Sequence, residues 1–119
     1  MTEKNLPYIQ HQRGQTFYQT RGRKNAPGFP IICLHGGPGG HSRHMAQLFG
    51  LANTRKVFIY DQVGGGRSSP LPTKQYTIKT FVTELQQLRE AWGLDQFHLF
   101  GASWGTTLAL EYYLGTKNH

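Results

Sequence analysis

Three short apolar runs punctuate the chain: Ile31-Ile32-Cys33-Leu34, Lys56-Val57-Phe58-Ile59-Tyr60 and Phe97-His98-Leu99-Phe100. Compact runs without strict alternation fit strands covered on both faces. Residues 77–92 follow another rule. Ile78, Phe81, Val82, Leu85, Leu88 and Trp92 recur at steps of three and four, which predicts a helix with one apolar face. Thr77 is placed to cap its start and Gly93 to stop it. A second helix is expected over 104–114, with Leu108, Ala109, Leu110 and Tyr113, and a short one over 43–52. Upstream, 7–12 and 15–21 read as two strands around Arg13-Gly14, a hairpin-like opening. Gly22, Pro27, Gly28 and Pro30 mark a loop over 22–30.

From residue 31 onward, strands thus alternate with helices. The expected fold is α/β: a mostly parallel sheet flanked by helices, preceded by an antiparallel hairpin. In such sheets the chemistry gathers at the carboxyl ends of the strands. All three runs lead there into glycine-rich segments: His35-Gly36-Gly37-Pro38-Gly39-Gly40, Asp61-Gln62-Val63-Gly64-Gly65-Gly66-Arg67-Ser68, and Gly101-Ala102-Ser103-Trp104-Gly105.

The last segment is the sharpest. A nucleophilic hydroxyl must project from a backbone that turns tightly from strand to helix. Gly101 and Gly105, two residues either side of Ser103, let those elements approach closely. Ser103 then stands at a helix amino end, where partial positive charge favours a developing anion. The alternative is an ordinary glycine-rich turn. The His35 segment would supply a second part. Acyl transfer builds negative charge on a carbonyl oxygen, and each backbone N–H aimed at it contributes roughly 3 kcal/mol. Gly36, Gly37 and Gly39 keep side chains out of the way, and Pro38 stiffens the turn. The amides of Gly37 and Trp104 are the expected donors. The Asp61 segment lacks the lysine followed by Ser or Thr of a phosphate loop, since Arg67-Ser68 follows its last glycine. It is expected to shape the floor of the site.

Composition narrows the field. The 119 residues are one domain's worth, 37% hydrophobic and 13% aromatic, which excludes a disordered polar chain. No stretch approaches 18 apolar residues, so no membrane association is expected. The start, Met1 to Asn5, has neither an apolar run nor a small-residue cleavage site, so no secretory signal is read and a cytoplasmic location is expected. One cysteine, Cys33, excludes an internal disulfide framework and a cysteine-built zinc site. The net charge of +7 raises nucleic-acid binding. The basic residues are scattered, though, apart from Arg21-Gly22-Arg23-Lys24, and no aromatic residue interleaves with that cluster, so no nucleic-acid partner is expected.

Taken together, the HGGPG segment, the Asp61–Ser68 segment and Gly101-Ala102-Ser103-Trp104-Gly105 resemble the three signatures of the proline iminopeptidase family of α/β-hydrolases. The similarity runs along nearly the whole chain, including Leu94-Asp95 and Leu108-Ala109-Leu110-Glu111-Tyr112. The resemblance implies a serine hydrolase that releases an N-terminal residue, preferably proline, from peptides or amides through an acyl-serine at Ser103, with no metal or organic cofactor. It also implies that Gln62 and its neighbouring glycines form a structural loop, with Gly65 where relatives carry Cys or Ser and Ala102 where they carry Gly, Gln or His. An amidase or esterase of the same fold is the first alternative. A non-catalytic fragment complementing a second chain is the other.

The base and its carboxylate are missing. In this fold they follow the serine in the order Asp or Glu, then His. After Ser103 the chain offers only Glu111, two helical turns on, and His119, its last residue. Residues 1–119 therefore read as the amino-terminal part of a hydrolase domain, truncated after the nucleophile-bearing turn and its helix. The sheet is expected to end at the strand carrying Ser103, exposing apolar surface, so the isolated chain is expected to aggregate or to need a partner. His35 is expected to support its loop by hydrogen bonds, Asp61 to pin loop backbone, and Cys33 to pack. His11 is expected on an exposed strand face, His41 and His44 toward cleft or solvent, His98 packed or at an edge, Trp92 packed and Trp104 at the pocket.

Overall fold

The computed structural model describes residues 7–23 and 25–116. Five strands form one sheet in the order β1-β2-β4-β3-β5: β1 Tyr8–His11, β2 Gly14–Arg21, β3 Ile31–Leu34, β4 Val57–Tyr60 and β5 His98–Gly101. The hairpin puts Tyr8 opposite Phe17, and β2 continues antiparallel onto β4, Tyr18 opposite Tyr60. From there the sheet is parallel. Ile31 of β3 stands opposite both Val57 and His98. Helices α1 (Ile78–Ala91) and α2 (Trp104–Thr116) complete the α/β layering.

The apolar runs work as two-sided strands. Ile32 and Leu34 of β3, with Phe58 and Tyr60 of β4, pack under Phe81, Leu85 and Leu88 of α1 and Leu108 and Tyr112 of α2. The alternate residues Cys33, Val57 and Ile59 face Met45 on the other side. Burial pushes the Cys33 thiol up to about 12, so it stays protonated and serves as packing. Thr77 caps α1, its side chain accepting from the Thr80 amide, and Gly93 follows at φ +71°. Trp92 stacks on Phe58, ring centroids 4.4 Å apart.

Two expectations need correction here. The helix expected over 43–52 is a 3-10 helix, Ser42–Asn53. Its packed apolar residues Met45, Leu48, Phe49 and Ala52 fall at i, i+3, i+4 and i+7, the stripe an α-helix also presents, so their spacing marks a helix without separating the two types. Ile78, expected on the apolar face of α1, is 46% exposed at the first helical position.

β5 lies at the sheet edge. His98 is exposed there, its ring 6.2 Å from that of Phe29. Phe100, Leu110, Tyr113 and Leu114 are all 43–59% exposed, and an apolar groove of about 570 Å³ runs between β5 and α2. Among the described residues no helix is long and apolar enough to cross a membrane.

Candidate active site

The Gly101–Gly105 segment occupies the turn from β5 into α2. Ser103 has φ 56°, the single described non-glycine residue in the left-handed region. Such a conformation costs on the order of 1–3 kcal/mol and survives where the surroundings impose it. They do so through the two glycines. A methyl group on Gly101 would collide with the Gly105 carbonyl, and one on Gly105 with the carbonyls of Leu34 and His35. Strand and helix thus cross with no room for a side chain, and Ser103 is left exposed at the apex. Gly105→Ala is accordingly expected to lower stability by about 1–3 kcal/mol, measured as a depressed denaturation midpoint by circular dichroism.

The HGGPG segment lies against this apex. A methyl group on Gly36 would stand 3.4 Å from the Ser103 Cβ and 3.8 Å from its Oγ. Gly37 has φ +135° and Gly39 φ +93°, so both need to be glycine, and the Gly37–Pro38 peptide is cis. Gly37, Pro38 and Gly39 are exposed. Beside them, Pro38, Gly39, Val63, Gly64, Tyr76 and Phe81 line a cavity of about 320 Å³.

His35 is buried beneath the loop. The Gln62 amide donates to its Nε2 at 2.9 Å, which leaves the proton on Nδ1 to donate to the Gly36 carbonyl at 2.6 Å. Burial, opposed by the Gly36 bond and by Asp61, lowers its pKa, so the ring stays neutral. Both nitrogens are engaged in the loop. Gln62, fully buried, is the hub: its Nε2 donates to the His35 carbonyl at 2.9 Å, and its Oε1 accepts from the Trp104 indole at 2.8 Å. One side chain thereby ties the HGGPG segment to the first residue of α2. Asp61 accepts from the Ser42 amide at 2.7 Å and the Arg67 amide at 2.9 Å. Gly65 also has a packing reason to be glycine, because a methyl group there would strike the Gly40 carbonyl.

Glu111 is exposed on α2, and His119 lies outside the described residues. His41 and His44 stack, ring centroids 5.6 Å apart. His11, expected to be exposed, is half-buried, with Nε2 2.8 Å from the Thr16 hydroxyl, because β2 brings Thr16 beside it. Among the described residues no three His, Cys, Asp or Glu side chains gather as a metal site. Sequence reasoning missed Glu84 altogether: it is buried on α1, with Oε1 accepting from the Val63 amide at 2.9 Å. The available signal was its position, one residue before Leu85 and three after Phe81, on the apolar stripe.

Residues 30–119 match the family described as alpha/beta hydrolase fold. Curated relatives include a proline iminopeptidase of Heyndrickxia coagulans, 47% identical over 92 residues, which cover 76% of this chain and 32% of the relative. Another, from Lactobacillus delbrueckii subsp. lactis, is 42% identical over 118 residues, 94% of this chain and 38% of the relative. Among solved structures, the proline iminopeptidase of Mycobacterium smegmatis superposes with a TM-score of 0.86 at 33% identity, over 93% of this chain and 40% of that one. The chain thus spans between about a third and two fifths of these relatives. Matched by that family over residues 30–119, the chain belongs to the alpha/beta hydrolase fold family and resembles the amino-terminal portion of the proline iminopeptidases.

Proposed function

We propose that residues 1–119 form the amino-terminal portion of a serine aminopeptidase that releases N-terminal proline from peptides. Ser103 is the nucleophile, and the Gly37 and Trp104 amides receive the oxyanion. The observation that carries this reading is Ser103 exposed at φ 56° with the Gly36 backbone against it. Attack of the Ser103 oxygen on the prolyl carbonyl forms the acyl bond. The serine proton passes to a base and then to the departing amine, and water frees the proline by the reverse route.

His35 is a poor base, since its two nitrogens already hold the loop. A carboxylate and a histidine must therefore come from a carboxyl-terminal portion, within one longer chain or as a second one. Its docking place is the free edge of β5 and the apolar groove beside α2, where Phe100, Leu110, Tyr113 and Leu114 are uncovered. A strand added at that edge satisfies its backbone groups and covers the side chains.

The test is to co-express this chain with the segment of the H. coagulans proline iminopeptidase that follows the region it matches. The complex is offered prolyl p-nitroanilide, alanyl p-nitroanilide and p-nitrophenyl acetate. Preferential release from the prolyl substrate is the expected result. Hydrolysis of the acetate alone would favour an esterase. A soluble complex silent on all three would overturn the reading.

A further inference from the structure

We propose that Glu84 is a positioning residue for the candidate site: its carboxyl group, reaching from α1, anchors the Val63 backbone and thereby holds the adjoining Gln62, which links the HGGPG segment to Trp104. The role at the site rests on the hydrolase reading; the anchoring does not.

The geometry forms a continuous path. Glu84 is 1% exposed. Its Oε1 accepts from the Val63 amide at 2.9 Å, and its Oε2 accepts from the Thr16 hydroxyl at 2.7 Å. Thr16 in turn meets His11 Nε2 at 2.8 Å, and the Arg13 amide approaches His11 Nδ1 at 3.3 Å. One carboxyl therefore joins three elements: α1, the β1–β2 hairpin and the segment after β4. On the other side of Val63, Gln62 makes the three bonds to His35 and Trp104 already described. A buried carboxyl is costly to keep unless each oxygen has a partner, and here both do. The surrounding titratable and charged groups are His11 and Arg13 on the hairpin, with the Arg13 guanidinium bonded to Gln87 at 2.7 Å, and Tyr60 on β4, itself facing Tyr112 of α2.

This arrangement responds to pH. Burial, opposed by the bonds from Thr16 and Val63 and by Arg13, raises Glu84 from its ordinary 4.5 to about 7. A carboxyl raised on folding contributes fully below pH 4.5, and that contribution is lost as pH rises through 7. Opening that releases Glu84 to water is therefore favoured on the alkaline side. The equilibrium gains on the order of a hundredfold across that window. If Glu84 is an anchor, the opening is local, and residues 61–68 respond more than the rest of the sheet.

Hydrogen–deuterium exchange of the chain in its complex with the co-expressed carboxyl-terminal portion, read by mass spectrometry between pH 5 and 8, tests this. After correction for base-catalysed exchange, wild-type residues 61–68 should open on the order of a hundredfold more at pH 8 than at pH 5, while residues 31–34 change less. Glu84→Gln, which keeps the shape and an oxygen for Val63, should flatten the profile and retain protection. Glu84→Ala should lose it at every pH. Should that variant fail to fold, the Glu84→Gln comparison decides alone. An unchanged profile in Glu84→Gln, or equal responses of 61–68 and 31–34, would overturn the proposal. None of these readouts needs turnover, so loss of the hydrolase reading leaves them standing.

Discussion

Ser103→Ala in the complex of this chain with a proline iminopeptidase carboxyl-terminal portion should lower release of nitroaniline from prolyl p-nitroanilide by about 10⁴-fold or more. The complex itself should assemble as before. The residue is exposed at the apex of its turn and supports no neighbour, and alanine tolerates the backbone no worse than serine does. The loss would thus be chemical. On the proposed mechanism, removing the nucleophile leaves only the oxyanion donors and binding, which sustain a small remainder over the uncatalysed rate. A loss below tenfold would remove Ser103 from its assigned role. A fluorophosphonate probe gives the same answer independently: labelling should vanish in Ser103→Ala, and labelling that survives points to another nucleophile.

The parts of the fold legible in the sequence are those where one physical signal dominates. Ile31–Leu34 and Val57–Tyr60 have apolar residues on both faces because both faces are covered, by α1 and α2 on one side and the 3-10 segment on the other. The spacing of Phe81, Leu85 and Leu88 marks the α1 stripe for the same reason. Glycine patterns were legible where backbones cross, as at Gly101 and Gly105. Pairwise tertiary choices left no such trace. Nothing local says that β2 pairs antiparallel with β4, or that Thr16 meets Glu84 across 68 residues. Glu84 went unread because a lone glutamate in a helix is usually solvent-exposed. Its burial depends on a hydroxyl and an amide supplied by distant segments. The constraint at Gly65 is likewise non-local: it comes from the Gly40 carbonyl, on another loop.

Gln62→Met should lower stability by about 2–5 kcal/mol, a large part of a small domain's total. Methionine matches glutamine closely in length and volume, so packing changes little. What disappears is polar pairing. The His35 carbonyl loses the Gln62 Nε2 donor and the Trp104 indole loses its acceptor, in a place where the replaced side chain is fully buried. Each orphaned group costs about 1–3 kcal/mol in such surroundings. Gln62→Glu separates the two bonds. A carboxylate still accepts from Trp104 but sets an oxygen against the His35 carbonyl, so it should be at least as damaging, and its loss should grow as pH rises and the carboxyl ionises. Urea denaturation at pH 5 and 8 measures both variants. If Gln62→Met unfolds at the wild-type urea concentration, the hub contributes nothing to holding the HGGPG segment against α2. The arrangement around Ser103 would then rest on the glycine crossings alone.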